Sequence, residues 1–272
     1  MKYSFLDNER ITTALLLAAG TGSRLYPLTQ DAPKCLTMVN GKSILERMIE
    51  GLNSRGFKRL VIVTGHLEHK IRDFLGNHFG NIKIEYVFSS LYMETNNIYS
   101  LWMARDVIKE SFLLLESDLV FDESLLDNML SPNIIAVAKM QPWMNGTCVT
   151  IDKSFGVKEF LPGDTDSLGE TKYKTVNIYS ISHSSWNLIV KRLDKHIFNC
   201  NVNEYYESVF AEMILDNSLS FDAASFDDRP WYEIDTIEDL RVAEKLFHVT
   251  NHKVPKPAIP SFPEFLSDKL LG

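Results

Sequence analysis

Residues 15–34 read LLLAAGTGSRLYPLTQDAPK. An apolar run over 14–19 breaks into Gly20-Thr21-Gly22-Ser23-Arg24, and Pro33-Lys34 follows. A short continuous apolar run is the pattern of a strand buried on both faces. Glycines let backbone amides come close to an anion, and cations nearby can clamp its charge. The stretch therefore reads as a strand feeding a phosphate-cradling loop, with Arg24 and Lys34 as the clamps. The plainer reading is a tight turn with two solvated cations. Two familiar anion loops do not fit: Leu25 stands where a dinucleotide-binding turn wants its third glycine, and Gly22-Ser23-Arg24 does not close a P-loop.

Beyond this loop, apolar spacing predicts a helix over 43–57, stopped at Gly56, and a buried strand over 59–65. An amphipathic segment with Leu67, Ile71, Phe74 and Leu75 follows, then a strand over 81–88. A helix over 96–108 starts at an asparagine cap, and residues 112–121 (FLLLESDLVF) read as one further strand. Strands alternating with helices of this length imply a doubly wound, mostly parallel sheet in a three-layer α/β/α arrangement. The second half changes character. Short strands are expected over 134–139, 147–152, 157–160 and 174–182, helices over 184–198 and 204–215, strands over 221–225 and 231–234, and a helix over 237–247. This predicts antiparallel additions that make the sheet mixed.

Glu116-Ser117-Asp118 closes an apolar run, and Glu233-Ile234-Asp235 repeats the spacing. Residues two apart on a strand share a face, and ligands of open α/β sheets bind beyond the strand carboxyl ends. Crowded carboxylates repel unless a cation neutralises them. Magnesium suits such a site because it takes one or two carboxylates together with substrate phosphates. Alternatively, Asp118 and Asp235 are ordinary turn or cap residues.

The run over 17–24, with Pro27 and Pro33-Lys34, resembles the amino-terminal signature of the nucleotidyltransferases typified by sugar-1-phosphate nucleotidylyltransferases. That resemblance implies a Rossmann-like sheet of the nucleotide-diphospho-sugar transferase type. It makes Lys34 and Arg24 catalytic and Asp118 and Asp235 ligands of Mg2+. It places Ala18, Gly20, Thr21, Gly22, Ser23, Asn97 and Ser100 against the nucleotide. Glu116 and Glu233 do not carry over and stay as supporting groups. The segment 92–101 lacks the glycine-rich pattern of sugar enzymes. Asn97-Ile98-Tyr99-Ser100 instead resembles cytidylyltransferases that activate phosphocholine or 2-aminoethylphosphonate. The implied partners are CTP and a small zwitterionic phosphonate or phosphate, with 2-aminoethylphosphonate leading and a sugar-1-phosphate enzyme as the alternative. A cationic headgroup needs aromatic faces or carboxylates; Tyr205, Tyr206, Glu207 and Trp143 are the expected cluster, although aromatics more often serve the core. His66 and His69 mimic a metal pair but lack a third ligand nearby.

The remaining features bound what the chain does. Its 272 residues suffice for a sizeable core, and 45% hydrophobic with 24% charged residues is ordinary for a globular chain. A formal charge of −8 argues against nonspecific nucleic-acid binding. Three scattered cysteines, Cys35, Cys148 and Cys200, suggest free thiols and a cytoplasmic setting. No run approaches a membrane span, and Asp7 and Glu9 spoil a signal-peptide leader. Residues 1–248 are expected to form the nucleotidyltransferase domain, and 249–272, with Pro255, Pro257, Pro260 and Pro263, a proline-rich tail or linker. The close at Leu270-Leu271-Gly272 suggests one part of a longer polypeptide, so both a homodimer and a fused second domain stay open.

Overall fold

The computed structural model describes residues 10–142, 144–161 and 171–247, so Trp143 and the tail 249–272 lie outside the described residues. Strand β1 (Thr13–Ala18), buried at every position, is the middle of the sheet. It runs parallel to β2 (Arg59–Thr64), which in turn pairs in parallel with β3 (Ile82–Phe88). On its other side lies β4 (Phe112–Glu116), also parallel, with Leu17 opposite Glu116.

The expected single strand over 112–121 is two. After β4 the chain turns at Ser117-Asp118, and β5 (Leu119–Phe121) leaves the main sheet to pair elsewhere. Apolar residues on both sides of the turn hide the break from a hydrophobic pattern. The second half adds strands as expected: β6 (Ile134–Lys139), β7 (Cys148–Ile151), β8 (Val157–Leu161) and the long β9 (Tyr173–Ile181). Strand β9 runs antiparallel to β4, with Ile178 opposite Leu115. Strand β10 (Asp222–Ser225) pairs in parallel with β6. The result is a ten-stranded mixed sheet with a parallel middle.

Strand alternation divides the core in two. Ala14, Leu16 and Ala18 of β1 face α1 (Ile44–Ser54) and α2 (Glu68–Leu75), while Leu15 and Leu17 face the opposite layer. That second layer holds α3 (Asn97–Met103), α4 (His183–Phe198) and α5 (Tyr206–Leu215). Phe74, expected on the apolar face of α2, is exposed, because Ile71 and Leu75 already fill that face.

Capping follows the sequence. Ser43 accepts from the Glu46 amide at 3.1 Å, and Asn96 from the Asn97 amide at 2.8 Å. A third cluster of Leu25, Val39, Ile44, Val120, Ile234 and Ala243 packs the glycine loop against α6 (Ile237–Leu246). No described helix is long and apolar enough to cross a membrane.

Candidate active site

The loop after β1 is shaped by glycine at one position above all. Gly22 has φ +64°, and a Cβ there would stand 3.0 Å from Thr29 Cγ2 and 3.1 Å from Lys34 Cβ. A side chain would be strained in conformation and crowded in space. The Gly22 carbonyl accepts from the Thr29 hydroxyl at 2.9 Å and from the Leu25 amide at 2.9 Å, which folds the loop over itself. Gly20 faces open space.

Gly65, which the sequence did not mark, directly follows β2 and lets the chain close up against the end of β1: a Cβ there would lie 2.6 Å from the Ala19 carbonyl. That carbonyl accepts the His66 amide at 3.0 Å. His66 Nε2 sits 3.3 Å from the Thr29 carbonyl, so it braces the loop.

Two distant aspartates meet through a small strand pair. Strand β11 (Trp231–Glu233) runs antiparallel to β5, with Glu233 opposite Leu119. The Ile234 amide donates to the Asp118 carbonyl at 2.9 Å, so Asp118 and Asp235 emerge side by side. Asp235 is not a helix cap. Thr236 and Asp239 form the capping box of α6, which leaves the Asp235 carboxylate free to face the cleft. Lys34 fills the gap: its Nζ donates to Asp118 Oδ2 at 2.7 Å and to Asp235 Oδ1 at 2.6 Å. Arg24 Nη2 reaches the same Asp235 oxygen at 2.8 Å. Burial alone would lower the Lys34 pKa, but the two aspartate charges and their hydrogen bonds outweigh it and hold the ammonium above its ordinary value. Lys34 is thus a fixed positive charge at neutral pH.

These groups border a cleft of about 270 Å³, together with Leu17, Ala19, Gly20, Gly22, Ser23, Tyr92, Asn96, Asn97, Ser100, Glu116 and Tyr205. Of the residues expected against a nucleotide, Gly20, Gly22, Ser23, Asn97 and Ser100 line this cleft. Ala18 and Thr21 are not on the cleft wall: alternation turns Ala18 into the opposite core layer while Leu17 and Ala19 face the cleft. Asn97 is already engaged, donating to Glu116 Oε1 at 3.2 Å and accepting the Tyr206 amide at 3.0 Å. It ties α3 to β4 and α5.

Of the expected headgroup residues, Tyr206 parts from Tyr205 and Glu207, which line one cavity. Tyr205 is exposed at the cleft edge, but the Tyr206 ring is fully buried against Tyr179 and Phe210, with centroids 5.8 and 5.2 Å away. The spacing Tyr206, Val209, Phe210, Met213 puts that ring on the core face of α5. Glu207 is buried too and lines a mostly apolar cavity of about 980 Å³ beside Tyr205.

The site suits a metal. Asp118 Oδ1 is buried without a hydrogen-bond partner among the described residues, so it has room to accept a cation or a water. Among the described residues no three His, Cys, Asp or Glu side chains form a metal cluster, so a metal here would rest on the two carboxylates Asp118 and Asp235. Two carboxylates completed by substrate phosphates are what magnesium takes. His66 and His69 form no such cluster either.

Carboxyls behind the cleft are held in a low-dielectric setting. Burial first, then the Asp118 and Glu207 charges, push Glu116 well above the usual carboxylate range. Burial lifts Glu207 from 4.5 to about 7. The sign follows: between those values the folded state holds a proton that the unfolded state has released, so stability falls as pH rises through that window. The loss is roughly 3 kcal/mol in all. Glu207→Gln is expected to gain thermal stability relative to wild type between about pH 5 and pH 8. Melting curves showing a pH-independent difference would refute this.

Comparison with known proteins agrees with the geometry. A family model described as nucleotidyl transferase matches residues 13–166. The CMP-5'-(3-aminopropyl)phosphonate synthase of Streptomyces rubellomurinus is 30% identical over 245 residues, 86% of this chain. The chain spans 38% of that synthase's length. The choline-phosphate cytidylyltransferase of Streptococcus pneumoniae is 25% identical over 240 residues, 88% of this chain and 99% of that one. The solved CTP:phosphocholine cytidylyltransferase from Streptococcus pneumoniae superposes with a TM-score of 0.76 at 24% identity, covering 87% of this chain and 98% of that chain. The nucleotide-diphospho-sugar transferase type of sheet is thus the fold of this chain.

Proposed function

The chain belongs to the nucleotidyl transferase family, and from that premise we propose that it is a magnesium-dependent cytidylyltransferase. It moves CMP from CTP onto a small zwitterionic phosphonate or phosphate, 2-aminoethylphosphonate first and phosphocholine second, and releases pyrophosphate. The observation that carries the reading is the Lys34 ammonium clasped by Asp118 and Asp235 at the mouth of the glycine loop. The named activities of the relatives support CTP as the donor. The unpaired thiols Cys35, Cys148 and Cys200 suit the reducing cytoplasm in which we place the reaction.

In this reaction an acceptor oxygen attacks the α-phosphorus of CTP. The new P–O bond forms as the bond to the pyrophosphate bridging oxygen breaks, and the electron pair departs with pyrophosphate. Such transfers depend on positioning and charge neutralisation more than on covalent help. The backbone around Gly20 and Gly22 receives the phosphates. Lys34, fixed and charged, faces the α-phosphoryl oxygens. Arg24, 69% exposed at its side chain, is free to swing from Asp235 onto the departing pyrophosphate. Asp118 and Asp235 fit as holders of magnesium, which when bound supplies further neutralisation of the phosphate charge.

The test is a pyrophosphate-release screen of CTP and UTP against 2-aminoethylphosphonate, phosphocholine and glucose-1-phosphate. Release with CTP and one of the zwitterions is expected. Release only with the sugar phosphate, or CTP binding without any release, overturns the reading.

A further inference from the structure

Lys174 belongs to no motif, yet its side chain is only 4% exposed. It sits near the start of β9, an inner strand of the sheet that bears the active site, between Cys148 of β7 and Ala138 of β6. A buried ammonium is costly unless its three N–H donors find acceptors. Lys174 Nζ donates to the neighbouring Thr175 carbonyl at 2.8 Å. Its carboxylate neighbour, Glu233 Oε2, is 3.5 Å away, long beside the about 2.7–2.9 Å of a charge-assisted hydrogen bond. Among the described residues, donor capacity is left over. Gly146, at φ +90°, adjoins this nitrogen, and a Cβ there would stand 3.3 Å from it. The absent side chain keeps that approach open.

The position is significant because Lys174 lines a cavity of about 200 Å³ that shares Arg24 and Asp235 with the nucleotide cleft. An acceptor oxygen attacking a phosphate brings one anion onto another, so the acceptor needs a cation of its own. Lys34 is clasped by two aspartates and Arg24 by one. Among the described residues lining the smaller cavity, Arg24 and Lys174 are the only lysines or arginines. Met144 and Asn145 line both this cavity and the larger one walled by Glu207. Glu207 Oε2 is buried there without a hydrogen-bond partner.

Resting on the acceptor reading above, we propose that Lys174 holds the tetrahedral phosphorus oxyanion of the acceptor, with the acceptor's cationic end directed across Met144 and Asn145 toward Glu207. Lys174 then sets which phosphonate or phosphate is aligned for attack, a role separate from the nucleotide clamps Arg24 and Lys34.

The experiment measures KM for 2-aminoethylphosphonate and for phosphocholine, and KM for CTP, in wild type, Lys174→Met, Glu233→Gln and the double variant. Losing a hydrogen-bonded charge is expected to raise the acceptor KM about 10- to 100-fold in Lys174→Met, with KM for CTP unchanged. The double variant removes both charges, so it relieves any unpaired Glu233 and stays informative if the single variant does not fold. Acceptor KM remaining high in the double variant, relative to Glu233→Gln alone, supports the proposal. Recovery to the Glu233→Gln value means that Lys174 serves only as a counterion and overturns it, as does an unchanged acceptor KM in Lys174→Met. A wild-type protein inactive with every zwitterion removes the parent reading instead. The acceptor with which the KM effect appears identifies the oxyanion as phosphonate or phosphate.

Discussion

Lys34→Ala is expected to abolish pyrophosphate release, with kcat reduced by about 10² or more, while the chain stays folded. The size of the effect follows from where the charge sits. Lys34 opens a short helical turn (Lys34–Leu36) directly after Pro33, so its side chain is aimed by backbone that the glycine loop itself braces. Its Nζ lies 2.7 Å from Asp118 and 2.6 Å from Asp235 in a mostly buried setting, where Coulombic interactions are stronger than in water. A preorganised cation of this kind needs no rearrangement when charge moves onto the α-phosphoryl oxygens. Since its pKa is held above the ordinary lysine value, it stays charged and does not act as a proton donor.

The fold should tolerate the change. The two aspartates border an open cleft, Arg24 already reaches Asp235, and a divalent ion can take the vacated charge. Steady-state kinetics beside melting curves check this. A variant with near wild-type kcat removes Lys34 from the reaction, whereas one with no cooperative melt would mean that the lysine is chiefly structural.

What the amino-acid sequence discloses and what it withholds divide along physical lines. Arg24, Lys34 and the two aspartates stood out through the resemblance of their motifs to a known family, since each residue taken alone also fits a solvated cation or an ordinary turn, whereas Gly22 is a position that close approach and its φ of +64° reserve for glycine. The chain turn between Glu116 and Leu119 was only half legible: Asp118 fitted a turn residue, but the strands on either side are apolar and no glycine or proline marks the break, so 112–121 read as one strand. Yet that break is what sends β5 to β11 and brings Asp118 to Asp235 across 117 positions of sequence. Tyr206 was readable in principle: its helical spacing with Val209, Phe210 and Met213 is a core stripe, which argues against the headgroup role expected of it. Lys174 left no trace, because a lysine at a strand end is ordinarily solvated. Only tertiary packing of Glu233 and Gly146 around it shows that it is buried.

Asp118→Asn is expected to lose about 10²- to 10³-fold in kcat at saturating magnesium, and to need more magnesium for its residual activity. The substitution isolates charge from shape. What Asp118 contributes to the fold is its backbone carbonyl, which accepts the Ile234 amide at 2.9 Å and seals β5 to β11, and asparagine keeps that bond. An asparagine side-chain oxygen can also still accept from Lys34. The variant loses only the anionic oxygen, buried and unpartnered, that a cation would occupy. Fewer carboxylates weaken a hard divalent ion directly, since such ions are held by oxygen charge. Stability should therefore hold while metal dependence shifts, and the two can be read separately, by melting curves and by activity titrated with magnesium. Chelation should silence the wild type and magnesium restore it. If Asp118→Asn turns over fully with an unchanged magnesium requirement, Asp118 is not a metal ligand, and the unpartnered oxygen needs another explanation. If instead only kcat falls while the magnesium titration is unmoved, the aspartate acts by orienting Lys34, and Asp235 alone carries the ion.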